Sequence, residues 1–85
     1  RAIRFIRENA CRPIGVPDVV RVAGISRTLL ERHFKKQLGR SPYSEIMRVR
    51  MQRAVELLAT SGLPTAQIAE MTGFQSQAHF STTVT

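Results

Sequence analysis

Eighty-five residues accommodate one domain at most, or two small subdomains sharing an element, and so short a chain buries too modest a core to surround a large catalytic cleft. Hydrophobic residues supply 42% of the chain and the formal net charge is +7, the balance of a folded domain whose surface attracts nucleic acid or an anionic membrane. No window has the apolar length of a membrane span, no signal-peptide pattern is visible, and the single cysteine, Cys11, fits a reducing compartment, so a cytoplasmic protein is expected.

In chain order, residues 1–10 read as an amphipathic helix with Ile3, Ile6 and Ala10 on one side, Phe5 beside them, and Arg4, Arg7 and Glu8 outside. After a connection containing Pro13, residues 16–23 read as a short helix, because Pro17 is tolerated in a first turn and Asp18 suits the positive helix end. Gly24 breaks it. Ser26 is a good N-cap for a helix over residues 27–38, in which Leu30, Phe34 and Leu38 form a four-step stripe, and Gly39 closes the unit. A long helix follows over residues 41–59, capped by Ser41 and opened by Pro42, whose absent N–H would have had no partner there. Met47, Met51, Ala54 and Leu58, widened by Ile46 and Leu57, form its inward stripe, with Arg48, Gln52 and Glu56 outward. At roughly 1.5 Å per residue this helix spans about 28 Å, comparable with the roughly 34 Å between successive major-groove faces of DNA. Leu63 and Pro64 then open another short helix, Thr72, Gly73 and Phe74 make a turn, and Ser76 caps a last helix.

The two ends of the chain repeat. Val19, Val20, Arg21, Val22, Ala23 and Gly24 align with Ile68, Ala69, Glu70, Met71, Thr72 and Gly73 at an offset of 49. From the capping serines onward the offset is 50, with Gln75 the extra turn residue, so Leu30 and Phe34 correspond to Phe80 and Val84. No flexible linker separates the copies, and rigid coupling through the long helix is expected. The expected architecture is therefore all-α: a first helix-turn-helix subdomain over residues 1–40, a connecting helix over 41–60 and a second subdomain over 61–85. Charge divides along the same line. All thirteen Lys and Arg stand at or before Arg53 against four acids, a local +9, whereas residues 54–85 hold two acids and no Lys or Arg, a local −2.

Two helices joined by a short glycine-containing turn, the second presenting polar residues outward, suit a major groove. With Leu30 and Phe34 inward, the outer face of the first copy shows Arg27, Thr28, Glu31, Arg32 and Lys35. Arg27 and Arg32 can pair with guanine, and Thr28 can offer a methyl to thymine or a hydroxyl to an acceptor. Glu31 can accept from a cytosine amino group, or can form an ordinary surface ion pair with Lys35 four residues on. Lys35, Lys36 and Arg40 suit phosphates, with Ser26 and Ser76 and their helix starts as further donors; Lys36 and Arg40 have the alternative of being solubilising charges. In the second copy the matching outward residues are Gln77, Ala78, Ser81 and Thr82, small and uncharged, which predicts weaker reading or backbone and protein contacts instead.

Other chemistry finds little support in the sequence. His33 and His79 lack the cysteine or acidic company of a zinc site, Cys11 has no visible base, and there is no phosphate-binding glycine loop or nucleophile elbow, so neither a cofactor nor an enzymatic activity is expected. Met47, Met51 and Met71 read as core fillers. The rival classes are a helical protein-interaction module docking on RNA polymerase or an acidic partner, and a basic amphipathic membrane binder.

The stretches AGIS with LLERHFKKQLGRSP, RAVELL, and IAEMTGFQSQAHFS together resemble the DNA-binding domain of the AraC/XylS family of bacterial transcription regulators, and ISRTLLERHFKKQLG followed by SPYSEIMRVRMQRAVELL is similar to its xylose-operon regulator branch. The resemblance implies a homeodomain-like pair of helix-turn-helix units with recognition helices in adjacent major grooves, base-reading positions at Arg27, Thr28, Glu31 and Arg32 and at Gln77, Ala78, Ser81 and Thr82, and no enzymatic role. It further implies a longer protein that is a sugar-responsive regulator, often an activator and usually a dimer, with a small-molecule effector bound only by a preceding sensor domain. The chain begins inside one helical pattern and stops inside another, as a piece of such a protein would, with the family's closing helix missing. Three departures stand out: Val20 replaces a common alanine, Glu45 a frequent aromatic, and Thr82, Val84 and Thr85 a basic, Phe, basic pattern.

Overall fold

The computed structural model describes residues 1–74, and among them every regular element is a helix: α1 (Ala2–Asn9), α2 (Val16–Ala23), α3 (Arg27–Leu38), α4 (Pro42–Thr60) and α5 (Thr65–Met71). The starts are set by local chemistry. Ser26 Oγ accepts from the Leu29 N–H at 3.2 Å and Ser41 Oγ from the Ser44 N–H at 3.1 Å, each satisfying one of the donors that a helix start leaves open. Asp18 reaches back to accept from the Gly15 N–H at 2.8 Å, which fixes the entry to α2. α2 and α3 both end on a glycine in the left-handed region, Gly24 at φ +71° and Gly39 at φ +72°, where a side chain would be strained.

The described residues extend 40 × 21 × 21 Å, a rod that holds two separate cores along α4. The first packs Ile6, Ala10, Val16, Val19, Leu30, Phe34 and Ile46 together; the second packs Ala54, Ile68, Ala69 and Phe74. α4 belongs to both. Ile46 and Val49 serve the first core, and Met47, Met51, Ala54 and Leu57 the second, because its apolar positions lie on two different sides of a 3.6-residue helix. The duplication in sequence is a duplication in packing: Val19 and Ile68, matched at the offset of 49, are both fully buried. Gly24 and Gly73, also matched, both take positive φ.

Two sequence expectations are corrected, and one residue the sequence left unplaced is buried. Leu58, expected on the inward stripe, is 42% exposed, since Leu57 takes the inward place beside α5. Met71, expected to fill the core, is 47% exposed, because Ile68, Ala69 and Thr72 define the buried side of α5 and place its neighbour about a quarter-turn away. Glu45, which lay on neither face of the expected pattern, is completely buried.

A candidate nucleic-acid interface

Leu30 and Phe34, each 2% exposed, root α3 in the first core, and that anchoring turns Arg27, Thr28, Glu31, Arg32, Lys35 and Lys36 to the surface. Arg27 Nε meets Glu31 Oε2 at 3.3 Å, so the expected Glu31–Lys35 pair is replaced by one facing the other way along the helix. Both partners are well exposed, and such a pair holds its members only weakly. Among the described residues no hydrogen bond or ion pair engages the side chains of Thr28, Arg32, Lys35 or Lys36. Three cations and a hydroxyl are thus free on one exposed face of a helix anchored by Leu30 and Phe34. The first-turn N–H groups of Arg27 and Thr28 have no intrahelical acceptor, which makes the start of α3, beside Ser26, a place for a phosphate oxygen.

Arg40 is placed differently from its neighbours. Its Nη1 donates to Glu45 Oε1 at 2.9 Å, while Arg48 grips the same carboxylate with two donors, Nε to Oε1 and Nη2 to Oε2, each at 2.9 Å. Arg7 Nε approaches Oε2 at 3.8 Å. The bidentate Arg48 contact is the largest cause of a carboxyl pKa held down to about 2, opposed by burial and reinforced by Arg40. Arg40 is therefore engaged within the fold at the joint between α3 and α4, and Lys35 and Lys36 carry the unengaged charge of this end. Sequence reasoning missed the cluster, although the signal was present as one acid at the start of α4 with an arginine three residues later and another just before the cap.

Arg50 was also missed. From the middle of α4 its Nε donates to the Ala10 carbonyl at 2.6 Å and its Nη2 to the carbonyls of Arg12 and Ile14 at 3.2 and 3.1 Å. Burial pushes its guanidinium down from the ordinary arginine value, yet a guanidinium does not deprotonate in a protein. Nothing in a lone arginine on a helix announces acceptors some forty positions away.

Ser76, Gln77, Ala78, His79, Ser81 and Thr82 lie outside the described residues. Among the described residues there is no group of three or more His, Cys, Asp or Glu able to hold a metal, and no helix is long and apolar enough to cross a membrane. His33 is exposed, and Cys11 is a free, partly buried thiol whose pKa burial raises.

The model of the helix-turn-helix domain family matches residues 19–85. A solved transcriptional regulator from Chromobacterium violaceum, described as containing an AraC-type DNA-binding domain, aligns with 96% of the chain and 73% of its own length at 35% identity and a TM-score of 0.87. The chain belongs to the AraC-type helix-turn-helix family. The C-terminal domain of AraT, a response regulator from Geobacillus stearothermophilus, matches this AraC-type domain at a TM-score of 0.88 and 32% identity, over 96% of the chain and 69% of that structure. The xylose operon regulatory protein of Escherichia coli K12 is 34% identical over 80 residues, covering 94% of the chain and 20% of the relative. The chain thus spans about a fifth of the length of the first curated relatives it matches. The family is one of transcription regulators, and the part shared with this chain is their DNA-binding domain.

Proposed function

We propose that this AraC-type domain binds double-stranded promoter DNA sequence-specifically, with α3 in one major groove and the outer residues of the second unit in the next. The observation that carries the reading is the exposed face of α3, where Arg32, Lys35 and Lys36 stand unengaged on a helix rooted by Leu30 and Phe34 and opened by the Ser26 cap. Arg27 and Arg32 take guanine edges, Thr28 a thymine methyl or an acceptor, and Lys35, Lys36 and the N–H groups beside Ser26 take phosphates. Arg40 contributes charge at the margin of the footprint. Gln77, Ala78, Ser81 and Thr82 form the second, less charged reading set, and Ser76 a second phosphate contact. In this reading the two subdomains are residues 1–40 and 61–85, joined by α4.

In the longer protein the domain is the output of a cytoplasmic, sugar-responsive regulator that acts as a dimer near a promoter, with the effector bound outside this chain. One structural relative is a xylose-binding transcription activator, which supports a sugar as effector class. Contact with RNA polymerase is supported by Val55, Leu58 and Met71, apolar residues 51%, 42% and 47% exposed on α4 and α5. A chain working only as a protein-interaction module is the competing reading.

Titration of duplex DNA at several salt concentrations tests the choice. DNA reading predicts a steep fall of log affinity with log salt, by about 0.9 for each phosphate neutralised, together with a preference among sequences. Shallow salt dependence and no sequence preference would sink the proposal in favour of the protein module.

A further inference from the structure

Arg50 lies between the two units and touches both. On one side, its three acceptors, the carbonyls of Ala10, Arg12 and Ile14, all belong to the connection between α1 and α2. Ala10 caps the end of α1, where carbonyls lack helical donors and carry the negative end of the helix dipole. A guanidinium, with five donors in a rigid fork, can serve several such carbonyls together, which an ammonium cannot do with the same geometry. On the other side lies the turn of the second unit. A Cβ built on Gly73 would stand 2.7 Å from Arg50 Nε, 3.2 Å from its Cζ and 3.1 Å from the Ala10 carbonyl oxygen. Gly24, the matching residue of the first unit, has nothing within 4 Å of such a Cβ. The second turn therefore sits on the Arg50 guanidinium at a distance that only a residue without a side chain permits, whereas the first turn faces open space.

We propose that Arg50, seated against Gly73, is a positioning residue that fixes the angle of the second unit about α4 and so sets the spacing between the two DNA segments the chain accepts. The inference rests on the two-groove reading above. Among the described residues α5 is otherwise packed on α4 through the second core of Ala54, Ile68, Ala69 and Phe74, and non-directional apolar contact resists separation more than rolling. A roll of about 20° at a helix about 10 Å from the axis of α4 moves it by roughly 3.5 Å, one base-pair step. Arg50 ties that roll to the α1–α2 connection, and through it to the core on which α3 is rooted.

The test uses the 85-residue chain and a duplex selected by it from randomised DNA, remade with one base pair added or removed between the two contacted segments, and with the second segment scrambled. The wild-type chain should prefer its selected spacing by about tenfold or more, the loss expected when one segment goes out of register. Arg50→Lys should shrink that preference to about threefold or less while leaving affinity for the scrambled duplex within about twofold, because α3 is untouched. Gly73→Ala should flatten the spacing profile likewise. Gly24→Ala, which carries left-handed strain without the Arg50 contact, should retain the wild-type preference. An unchanged profile in Arg50→Lys, or equal behaviour of the two Gly→Ala variants, overturns the role of Arg50 and leaves the two-groove reading standing. Absence of any spacing preference in the wild-type chain overturns the two-groove reading itself, and this inference with it.

Discussion

Around Phe34, α1, α2, α3 and α4 close on seven buried apolar side chains; around Phe74, the described residues contribute four, one of them from α4. The first half also buries an acid among arginines, and it carries on α3 every cation that the proposed interface leaves unengaged. The second half has no Lys or Arg of its own after Arg53 and meets the guanidinium of α4 through a glycine. One repeat is thus held by two kinds of physics. The core around Phe34 lets the first unit display charge without losing its shape, and among the described residues the second unit is placed by its contacts with α4 and by Arg50. Affinity should come chiefly from the first unit, and register from the second.

Emptying the larger core should break the comparison most severely. Phe34→Ala removes a fully packed aromatic and is expected to cost about 3 to 5 kcal/mol in urea unfolding, enough to abolish DNA binding by the whole chain. Survival of binding after that loss would mean that the second unit holds itself and its DNA contacts independently.

Next comes Glu45. Its carboxyl titrates at about 2 in the folded chain against an ordinary 4.5, so its contribution is complete above about pH 5 and is lost as pH falls through 4.5 toward 2. The difference corresponds to roughly 3 kcal/mol. Glu45→Gln should cost about 2 to 3 kcal/mol at neutral pH, by leaving Arg40 and Arg48 without their anion, and should flatten the acid limb of the stability curve. Stability of the variant that still falls between pH 5 and 2 as steeply as in the wild type would place the acid sensitivity elsewhere.

Smaller effects separate affinity from register. Arg32→Ala should lose about 1 to 3 kcal/mol on the preferred site and relax one base position, whereas Lys36→Ala should weaken all sequences alike. Thr82 stands at the register of Arg32 in the repeat, and Thr82→Arg should bring the second unit toward the first by steepening the salt dependence by about 0.9. Equal loss on every sequence for Arg32→Ala would demote it from base reader to phosphate contact.

How much of this the sequence disclosed follows from the range of each interaction. The caps at Ser26 and Ser41, the glycine stops and the Leu30, Phe34 stripe are signals within a few residues, and the helices appear where those signals stand. The repeat was legible because both copies solve the same packing problem, with Val19 and Ile68 in one role. Glu45, Arg50 and the seating of Gly73 against Arg50 were opaque for the opposite reason. Burial of Glu45 depends on arginines converging from α1, the α3–α4 joint and α4, and the partners of Arg50 lie 36 to 40 positions away. Leu58 misled because a stripe read from one helix does not say which of two adjacent apolar residues its neighbours cover, and Leu57 takes that place.

The smallest predicted change on stability is the most informative about the reading face. Arg27 and Glu31 are 63% and 47% exposed and meet at 3.3 Å, so Glu31→Gln should alter unfolding by only a few tenths of a kcal/mol. Its effect on DNA separates two roles for the acid. If Glu31 serves only to orient Arg27, removing its charge takes a repulsive group from a polyanion's path, and binding should tighten on all sequences while the order of preference is kept. If Glu31 accepts from a cytosine amino group, the variant should lose about 1 to 3 kcal/mol on the selected duplex and become tolerant at one position. The turn of the carboxylate toward Arg27, away from Lys35, favours the first outcome, because an acid already answering the arginine beside it has less to offer a base, and Lys35 is then left free for the phosphate backbone.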